Sequence, residues 1–275
     1  MLSPASDTTV ERVSLDKGSP AHGAPVTFQN VSQVFGKGSD LRQAIADVNL
    51  AVQPGEFVCI VGPSGCGKST LLNLVAGFQR PSSGQVCVDG IAVAGPGADR
   101  GMVFQQHRLF PWMSVRENVE FGPKMAGVGS RQRHAASTQI LEMVGLHDVR
   151  DRAPYELSGG MQQRAAIARA LAAQPRVLLM DEPFAALDAM TRERLQEEIV
   201  RIWRSTGTTI LFVTHSVDEA AFVGSRVVGM SAHPGTIRLD EPVPFADADK
   251  THLRSTLAFV EFRDRLSGIV RDAVG

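Results

Sequence analysis

A nine-residue loop in the first third of the chain combines three glycines with a lysine that is followed by two hydroxyl residues. Glycines let the backbone turn successive N–H groups towards phosphate oxygens, and the positive end of a following helix attracts the same anion. A lysine can reach the β- and γ-phosphates, and a hydroxyl can ligate Mg²⁺. The loop fits G-x-x-x-x-G-K-[ST] and predicts a site for a nucleoside triphosphate with Mg²⁺; its residues are Gly62, Pro63, Ser64, Gly65, Cys66, Gly67, Lys68, Ser69 and Thr70.

Two carboxylates directly follow the apolar run from Val177 to Met180. Ligands gather where the strands of a parallel sheet end, so Asp181 and Glu182 would lie at that edge. We expect Asp181 to hold Mg²⁺ and Glu182 to be the general base that accepts a proton from the water attacking the γ-phosphate. An Asp-Glu pair is common in turns, so this prediction depends on the phosphate-binding loop upstream.

A second glycine-rich helix start occurs between residues 157 and 162. Ser158 is a good N-cap, and the two glycines after it expose further N–H groups at a positive helix end, which predicts another anion site. The segment could bind the nucleotide held by the phosphate-binding loop of its own chain, if the residues between them bring the two together. Alternatively, it could face a nucleotide held by another copy of the chain. By itself it also fits a simple capped helix; its residues are Leu157, Ser158, Gly159, Gly160, Met161 and Gln162.

The elements that must position these groups alternate between strand and helix. This alternation predicts an α/β fold with a mostly parallel sheet covered by helices. The strands before the loop predict a separate β layer, and the helical stretch of about 107–172 predicts an inserted subdomain. Strand patterns cover 26–28, 31–35, 47–52, 56–61, 84–88, 100–104, 176–180, 208–213 and 226–230, and helical patterns cover 69–78, 130–144, 161–173, 190–204, 218–222 and 253–273.

Composition excludes several classes of protein. The formal net charge is −1 over 275 residues, which provides no global field to recruit nucleic acid or anionic lipid. No apolar run approaches the roughly 18 residues that a membrane-spanning helix needs. The three cysteines lack metal-binding spacing, which favours reduced thiols in the cytosol. Residues 1–24 are predicted to be a mobile tail, 25–245 the main domain, and 246–275 a C-terminal helical extension that packs on the core.

Taken in order, these motifs resemble the ATP-binding cassette of ABC transporters over residues 25–245. The family's signature L-S-G-G-Q corresponds to residues 157–161, where Met161 replaces the usual glutamine. The resemblance implies a P-loop NTPase fold, in which a RecA-like parallel sheet carries an antiparallel β layer and an inserted helical subdomain. It also implies ATP hydrolysis with Mg²⁺ as the cofactor.

The same resemblance implies roles for residues outside the first motifs. Gln105 would be the Q-loop residue that senses Mg²⁺ and couples to a transmembrane partner. Ala186-Leu187-Asp188 would be the D-loop at a dimer interface, and His215 the switch histidine that contacts the γ-phosphate. Phe35 would stack on adenine. His107 has no comparable sequence context and is interpreted as structural.

The resemblance also implies partners and a location. We expect a head-to-tail homodimer that closes over two ATP molecules, with the phosphate-binding loop of one copy facing Ser158–Gly160 of the other. The permease would be a separate transmembrane chain, and a periplasmic or lipid-anchored substrate-binding protein would contribute indirectly. No nucleic acid is expected as a partner. The chain would be peripheral, on the cytoplasmic face of the inner (cell) membrane.

Several segments resemble one group within the family, the nitrate/sulfonate/taurine importers, and taurine-type importers most closely. The expected function is therefore ATP-driven import of taurine or another alkanesulfonate, with nitrate as the alternative substrate. A soluble cassette ATPase acting on DNA or ribosomes and a regulatory module without turnover are the other two hypotheses. The segments are 95–105, 109–112, 118–122, 212–220 and 230–235.

Overall fold

The computed structural model describes residues 23–185 and 187–272, which form ten strands and seven α-helices. The strands are β1 (Val26–Phe35), β2 (Arg42–Val52), β3 (Phe57–Val61), β4 (Ser83–Val88), β5 (Ile91–Ala92), β6 (Arg100–Val103), β7 (Val177–Asp181), β8 (Thr209–Thr214), β9 (Arg226–Met230) and β10 (Ile237–Pro242). The helices are α1 (Lys68–Ala76), α2 (Val115–Met125), α3 (Ser130–Met143), α4 (Gly159–Ala172), α5 (Ala189–Thr206), α6 (Val217–Val223) and α7 (Leu257–Asp272).

The central sheet contains six strands in the order β10-β9-β3-β8-β7-β6. Its strands run parallel except β10, which is antiparallel to β9. One face of the sheet packs against α5, α6 and α7, and the other packs against α1 and a second sheet. Strands β3 and β8 are buried along their whole length because both faces are covered, which explains their unbroken apolar sequences. The predicted α/β fold with a mostly parallel sheet is confirmed.

The second sheet is antiparallel, with the order β2-β1-β4-β5. Strand β2 begins at Arg42, five residues before the predicted start at Asp47, because Phe35 pairs with Arg42 at the far end of a long two-stranded ribbon. Register shifts interrupt this pairing, so the first half of β2 lacks the alternation of apolar and polar residues on which the prediction relied.

Helices α2, α3 and α4 form a subdomain with its own apolar core, separate from the two clusters on the faces of the central sheet. A capping box starts α2: the Ser114 hydroxyl accepts from the Glu117 N–H, and the Glu117 carboxylate accepts from the Ser114 N–H. The sequence pattern did not delimit α2, because Gly122 and Pro123 interrupt it. Val119, Leu141 and Ala165 meet in the core of the subdomain.

Both ends of the described chain pack against the central sheet. Gly23 and Ala24, the last two residues of the predicted tail, are instead buried, and Ala24 donates its N–H to the carbonyl of Arg176 (3.3 Å). Residues 1–22 of that tail lie outside the described residues. In the C-terminal extension, α7 buries Phe259 and Leu266 in the apolar core on one face of the central sheet. Across residues 23–185 and 187–272, none of the helices combines the length and the apolar character that a membrane span requires.

Replacing Phe259 with alanine should lower the free energy of unfolding by about 3–5 kcal/mol, because Phe259 is fully buried and its loss leaves a cavity. The matched control is Leu257→Ala, two residues earlier, where the side chain is 72% exposed and little change is expected. Denaturant unfolding of the purified chain measures both effects. Equal losses for the two variants would contradict the packing of α7 on the core.

Candidate active site

The phosphate-binding loop connects β3 to α1, as the sequence predicted. Gly65 and Gly67 have φ of +80° and +94°, a left-handed region that favours glycine. A side chain at Gly67 would also collide with Ile45 of β2, and a Cβ at Gly62 would lie 2.6 Å from the carbonyl oxygen of Met230. Gly67 therefore needs glycine for both its backbone conformation and its close packing, Gly65 for its backbone conformation, and Gly62 for its close packing.

Lys68 is the first residue of α1, and its side chain is almost completely buried. Its ammonium donates to the carbonyl oxygens of Gly62 (2.8 Å) and Pro63 (2.9 Å), so the loop curls around it. Ser64 is exposed on the outer part of the loop, and Thr70 is half-buried at the start of α1. The loop thus concentrates positive charge and N–H dipoles at the N-terminus of a helix, an arrangement that suits an anion.

Ser69 and Asp181 are brought together, although they are 112 residues apart in the sequence. The Ser69 hydroxyl donates to a carboxylate oxygen of Asp181 (3.0 Å). Burial is the main cause that raises the pKa of Asp181, and the negative charge of Glu182 acts in the same direction, while the Ser69 hydrogen bond and the charge of Lys68 oppose it. A hydroxyl and a carboxylate at one point are hard oxygen donors, which fit Mg²⁺. Among the described residues, no group of three or more His, Cys, Asp or Glu side chains could hold a metal ion by itself.

Glu182 lies at the centre of the predicted catalytic residues. One of its carboxylate oxygens accepts from the Gln105 side-chain amide (3.2 Å) and lies 3.6 Å from Nδ1 of His215. The parallel pairing of β7 with β8 places Asp181 opposite Val213, so the two strands end side by side. The three predicted catalytic residues are therefore brought together, at the edge where the sequence analysis expected Glu182.

A cavity of about 320 Å³ opens beside this cluster, and Glu182 and His215 both line it. His215 is 66% exposed and Glu182 is 24% exposed. Both side chains are therefore accessible to a water molecule from the cavity. The Gln105 amide nitrogen points at Glu182, so only its amide oxygen is available for the predicted contact with Mg²⁺.

The signature segment occupies the start of α4, in the helical subdomain. Ser158 is the N-cap and accepts from the N–H of Met161 (3.3 Å), as predicted. Leu157 is buried in the subdomain core, and the Gln162 amide donates to the carbonyls of Pro154 and Leu157. Gly159 and Gly160 form the first turn of the helix. Within the described residues, no hydrogen bond or ion pair joins this segment to the phosphate-binding loop of the same chain.

Gln163, which the sequence analysis did not select, connects the signature helix to the segment after β6. Its side chain is 1% exposed, contacts Nδ1 of His107 (2.6 Å) and donates to the carbonyl oxygen of Phe104 (3.4 Å). This contact agrees with the structural interpretation of His107, which stays a prediction. The only feature of the sequence that could have indicated Gln163 is its position next to the signature. The sequence does not indicate that Gln163 contacts His107 and Phe104.

Two further predicted residues lie near the edges of this region. Asp188 caps α5 by accepting from the N–H of Thr191 (3.0 Å), and this backbone hydrogen bond is the main cause that lowers the pKa of Asp188. Its neighbour Ala186 lies outside the described residues. Phe35 ends β1 in the antiparallel sheet and is 40% exposed, so its ring is accessible for the predicted stacking.

Comparisons with known proteins agree with this geometry. A family model described as ABC transporter matches residues 45–185. The taurine import ATP-binding protein TauB of Jannaschia sp. is 49% identical over 84% of this chain and 87% of its own length. The nitrate import ATP-binding protein NrtD of Synechocystis sp. is 47% identical over 83% of this chain and 88% of its own length.

The fold is also similar to that of a solved ATP-binding cassette. The dimeric structure of the ATP-binding cassette MJ0796 in a post-hydrolysis state, bound to ADP and Pi, is 33% identical and has a TM-score of 0.71. The match covers 79% of this chain and 98% of that chain. The family match covers just over half of the chain and includes the phosphate-binding loop, the signature and the acidic pair, in that order along the chain. This chain therefore belongs to the ABC transporter family, as one of its ATP-hydrolysing cassettes.

Proposed function

We propose that this chain is the ATPase subunit of an importer and that two copies bind two ATP molecules between them, head to tail. The signature segment supports this arrangement, because its helix start has no bond to the phosphate-binding loop of its own chain among the described residues. A partner copy would place Ser158–Gly160 against the nucleotide held by Lys68. The relative bound to ADP and Pi is itself described as a dimer, which agrees with the proposal.

In the proposed mechanism, the loop N–H groups and Lys68 hold the phosphates, and Glu182 accepts a proton from the attacking water. The contacts of Glu182 with Gln105 and His215 carry this assignment, because they hold in place one carboxylate oxygen of a residue that lines the cavity. His215 would donate to the γ-phosphate. Bound Mg²⁺, held by Ser69 and Asp181, would neutralise charge that develops on the phosphate oxygens.

An exposed aromatic surface after β6 is the proposed contact with a separate permease. Phe78 stacks on Phe104 with ring centroids 6.0 Å apart, and the Arg108 guanidinium lies 4.3 Å from the centroid of Phe104. Trp112 is 74% exposed and contacts the ring of Phe110. Aromatic and arginine side chains are enriched at protein interfaces, and a cytoplasmic helix of the permease would cover them. The chain would then lie at the cytoplasmic face of the membrane, and a substrate-binding protein would contact the permease rather than this subunit.

The proposed cargo is taurine or a related alkanesulfonate. The support is similarity: the taurine import proteins of four organisms, Jannaschia, Roseobacter denitrificans, Ruegeria pomeroyi and Sinorhizobium fredii, are 45–49% identical to this chain. Nitrate is the second candidate, because the nitrate import protein of Synechocystis has a similar identity of 47%. Selection of the cargo would occur in the permease and the binding protein, which the substrate contacts.

Replacing Glu182 with glutamine should leave ATP binding almost unchanged and reduce turnover by about 10²–10⁴-fold, because the amide keeps the shape but cannot accept a proton. Titration calorimetry measures binding, and phosphate release from the purified chain or its permease complex measures turnover. Glu197→Gln on the exposed side of α5 is the matched control and should behave as wild type. Wild-type turnover in Glu182→Gln would contradict the general-base assignment.

Replacing Ser69 with alanine should raise the Mg²⁺ concentration needed for half-maximal turnover, because it removes one proposed ligand and the hydrogen bond that lowers the pKa of Asp181. A raised acid pKa means that Asp181 takes up its proton at a higher pH than an ordinary carboxyl and loses its charge below that pH. The Mg²⁺ requirement should therefore rise as the pH falls, and the rise should begin at a higher pH in the variant. Mg²⁺ titrations of turnover over a pH series test this.

The control for that series is Ser205→Ala, an exposed hydroxyl near the end of α5, which should leave the Mg²⁺ requirement unchanged. A Mg²⁺ requirement in Ser69→Ala equal to that of wild type at every pH would contradict the proposed metal site.

Growth of the source organism with the Lys68→Ala allele identifies the cargo, because this substitution removes the phosphate-binding ammonium. Taurine, other alkanesulfonates and sulfate are supplied in turn as the sole sulfur source, and nitrate as the sole nitrogen source. Failure on taurine or sulfonates alone is expected. Failure on nitrate alone would move the protein to the second candidate, and normal growth on all of them would contradict both cargo assignments.

A further inference from the structure

Glu219, in the first turn of α6, has a carboxylate that the proposed mechanism does not use. Its side chain is only 12% exposed, and it lines the same cavity as Glu182 and His215. A nearly buried carboxylate needs hydrogen bonds or a positive partner to offset the loss of water. The partners of Glu219 therefore indicate what the carboxylate does.

The first partner is the hydroxyl of Thr214, which donates to one oxygen of Glu219 (2.6 Å) and also accepts from the N–H of Ser216 (3.0 Å). The N–H of Glu219 donates in turn to the hydroxyl of Ser216 (3.2 Å). Thr214 and Ser216 are the two neighbours of His215 in the sequence. The carboxylate and the N–H of Glu219 therefore bond to the side chains of the two neighbours of His215, whose own ring is largely exposed.

The second partner is Arg192 on α5. Its Nε lies 3.9 Å from the other carboxylate oxygen of Glu219, and its terminal nitrogen donates to the carbonyl oxygen of Leu187 (2.8 Å). Leu187 belongs to the segment that leads from Glu182 into α5. Arg192 is therefore bonded to the Glu182 segment and is adjacent to the carboxylate that holds the His215 segment.

The Nε atom of Arg192 is buried and has no hydrogen-bond partner within the described residues. An unpaired buried N–H is unfavourable, and the facing carboxylate is its nearest charged partner, so a shift of under about 1 Å would form the bond. A guanidinium presents five N–H donors in a fixed plane, which allows it to bind a carbonyl and a carboxylate together. A lysine ammonium has three donors on one atom and cannot span the two acceptors in this way.

We propose that Arg192 and Glu219 are positioning residues for ATP hydrolysis: together they set the distance between Glu182 and His215. The pair acts through backbone segments and does not touch the reacting atoms. This inference rests on the roles proposed above for Glu182 and His215. It predicts that the pair affects turnover of bound ATP and leaves the affinity for ATP almost unchanged, because neither residue contacts the phosphate-binding loop in the described structure.

The test measures kcat, KM for ATP, ATP affinity and Tm for Glu219→Gln, Arg192→Ala and the double variant, in the purified chain or its permease complex. Glutamine retains an oxygen that can accept from Thr214, so Glu219→Gln removes mainly the charge that faces Arg192. Each single variant should lose about 10-fold in kcat and change KM by less than about 2-fold. The expected loss is smaller than the roughly 10²-fold that a displacement of about 1 Å in a catalytic group can cause. The double variant should lose no more than the worse single variant, because both changes break one connection.

The matched control is Arg201→Ala on the same helix, whose ion pair with Glu198 is at the surface and whose side chain is 70% exposed. It should leave kcat unchanged. Arg192→Lys is included because it retains the charge if Arg192→Ala does not fold, and it should also lower kcat. Losses that multiply in the double variant, or a lower Tm with unchanged kcat per folded molecule, would overturn the proposal.

His215→Ala, measured alongside, separates this inference from the proposed function. If His215→Ala loses turnover and both Glu219→Gln and Arg192→Ala retain it, the positioning pair is wrong and the role of His215 stands. If His215→Ala retains turnover, the proposed role of His215 is wrong, and the positioning pair is overturned with it.

Discussion

The hydrogen bond from the backbone N–H of Glu182 to the carbonyl oxygen of Val213 (3.0 Å) extends the pairing of β7 and β8 by one residue beyond Asp181. This bond holds the chain at the point where it leaves the sheet, and Glu182 has a left-handed φ of +46° there. A non-glycine residue in that region carries a free-energy cost of about 1–2 kcal/mol. The turn directs the Glu182 carboxylate to Gln105 and His215, so the geometry of the proposed catalytic cluster depends on how the chain leaves the sheet at this point.

Buried surroundings make that turn stable. Phe184 and Leu187, which follow Glu182, are buried in the cluster that covers the central sheet, and Phe212 of β8 contacts Phe184 with ring centroids 5.5 Å apart. Burial of such side chains contributes about 1.5–3 kcal/mol each, so the two together exceed the strain at Glu182. The site is therefore supported by the core beneath it, and strain at the turn is maintained by packing.

The signature helix has a different support, because it belongs to a subdomain with its own core. Gln163 is a buried connection between the two parts: it bonds to Phe104 and His107 near the end of β6, close to Gln105. Movement of the subdomain relative to the sheet would therefore be transmitted to the segment that carries Gln105. The exposed aromatic surface around Trp112 is part of the same segment, so a contact there would act on the same connection.

Local sequence determined the phosphate-binding loop, the strand before it and the helix after it, because glycine positions and apolar runs are constraints between neighbouring residues. It also predicted Ser158 as an N-cap and Asp181 at the end of a strand, and the family resemblance supplied Gln105 and His215. These predictions hold in the structure, although the roles of the side chains remain proposals. The predicted start of β2 was wrong, because register shifts in the β1–β2 pair weaken the alternating pattern. The bounds of α2 were not predicted, because Gly122 and Pro123 interrupt the helical pattern.

Only the tertiary structure decided which distant groups meet. The pairing of Ser69 with Asp181 and the contact of Gln163 with His107 join residues far apart in the sequence, and they depend on the packing of α1 beside β7 and of α4 beside β6. The approach of Arg192 to Glu219 likewise depends on how α5 packs beside α6. No periodicity in one chain encodes these contacts, because they arise from the register of parallel strands and from helix packing over a common core. The sequence therefore determined the motifs made of neighbouring residues, whereas the distances between those motifs were decided by the tertiary structure.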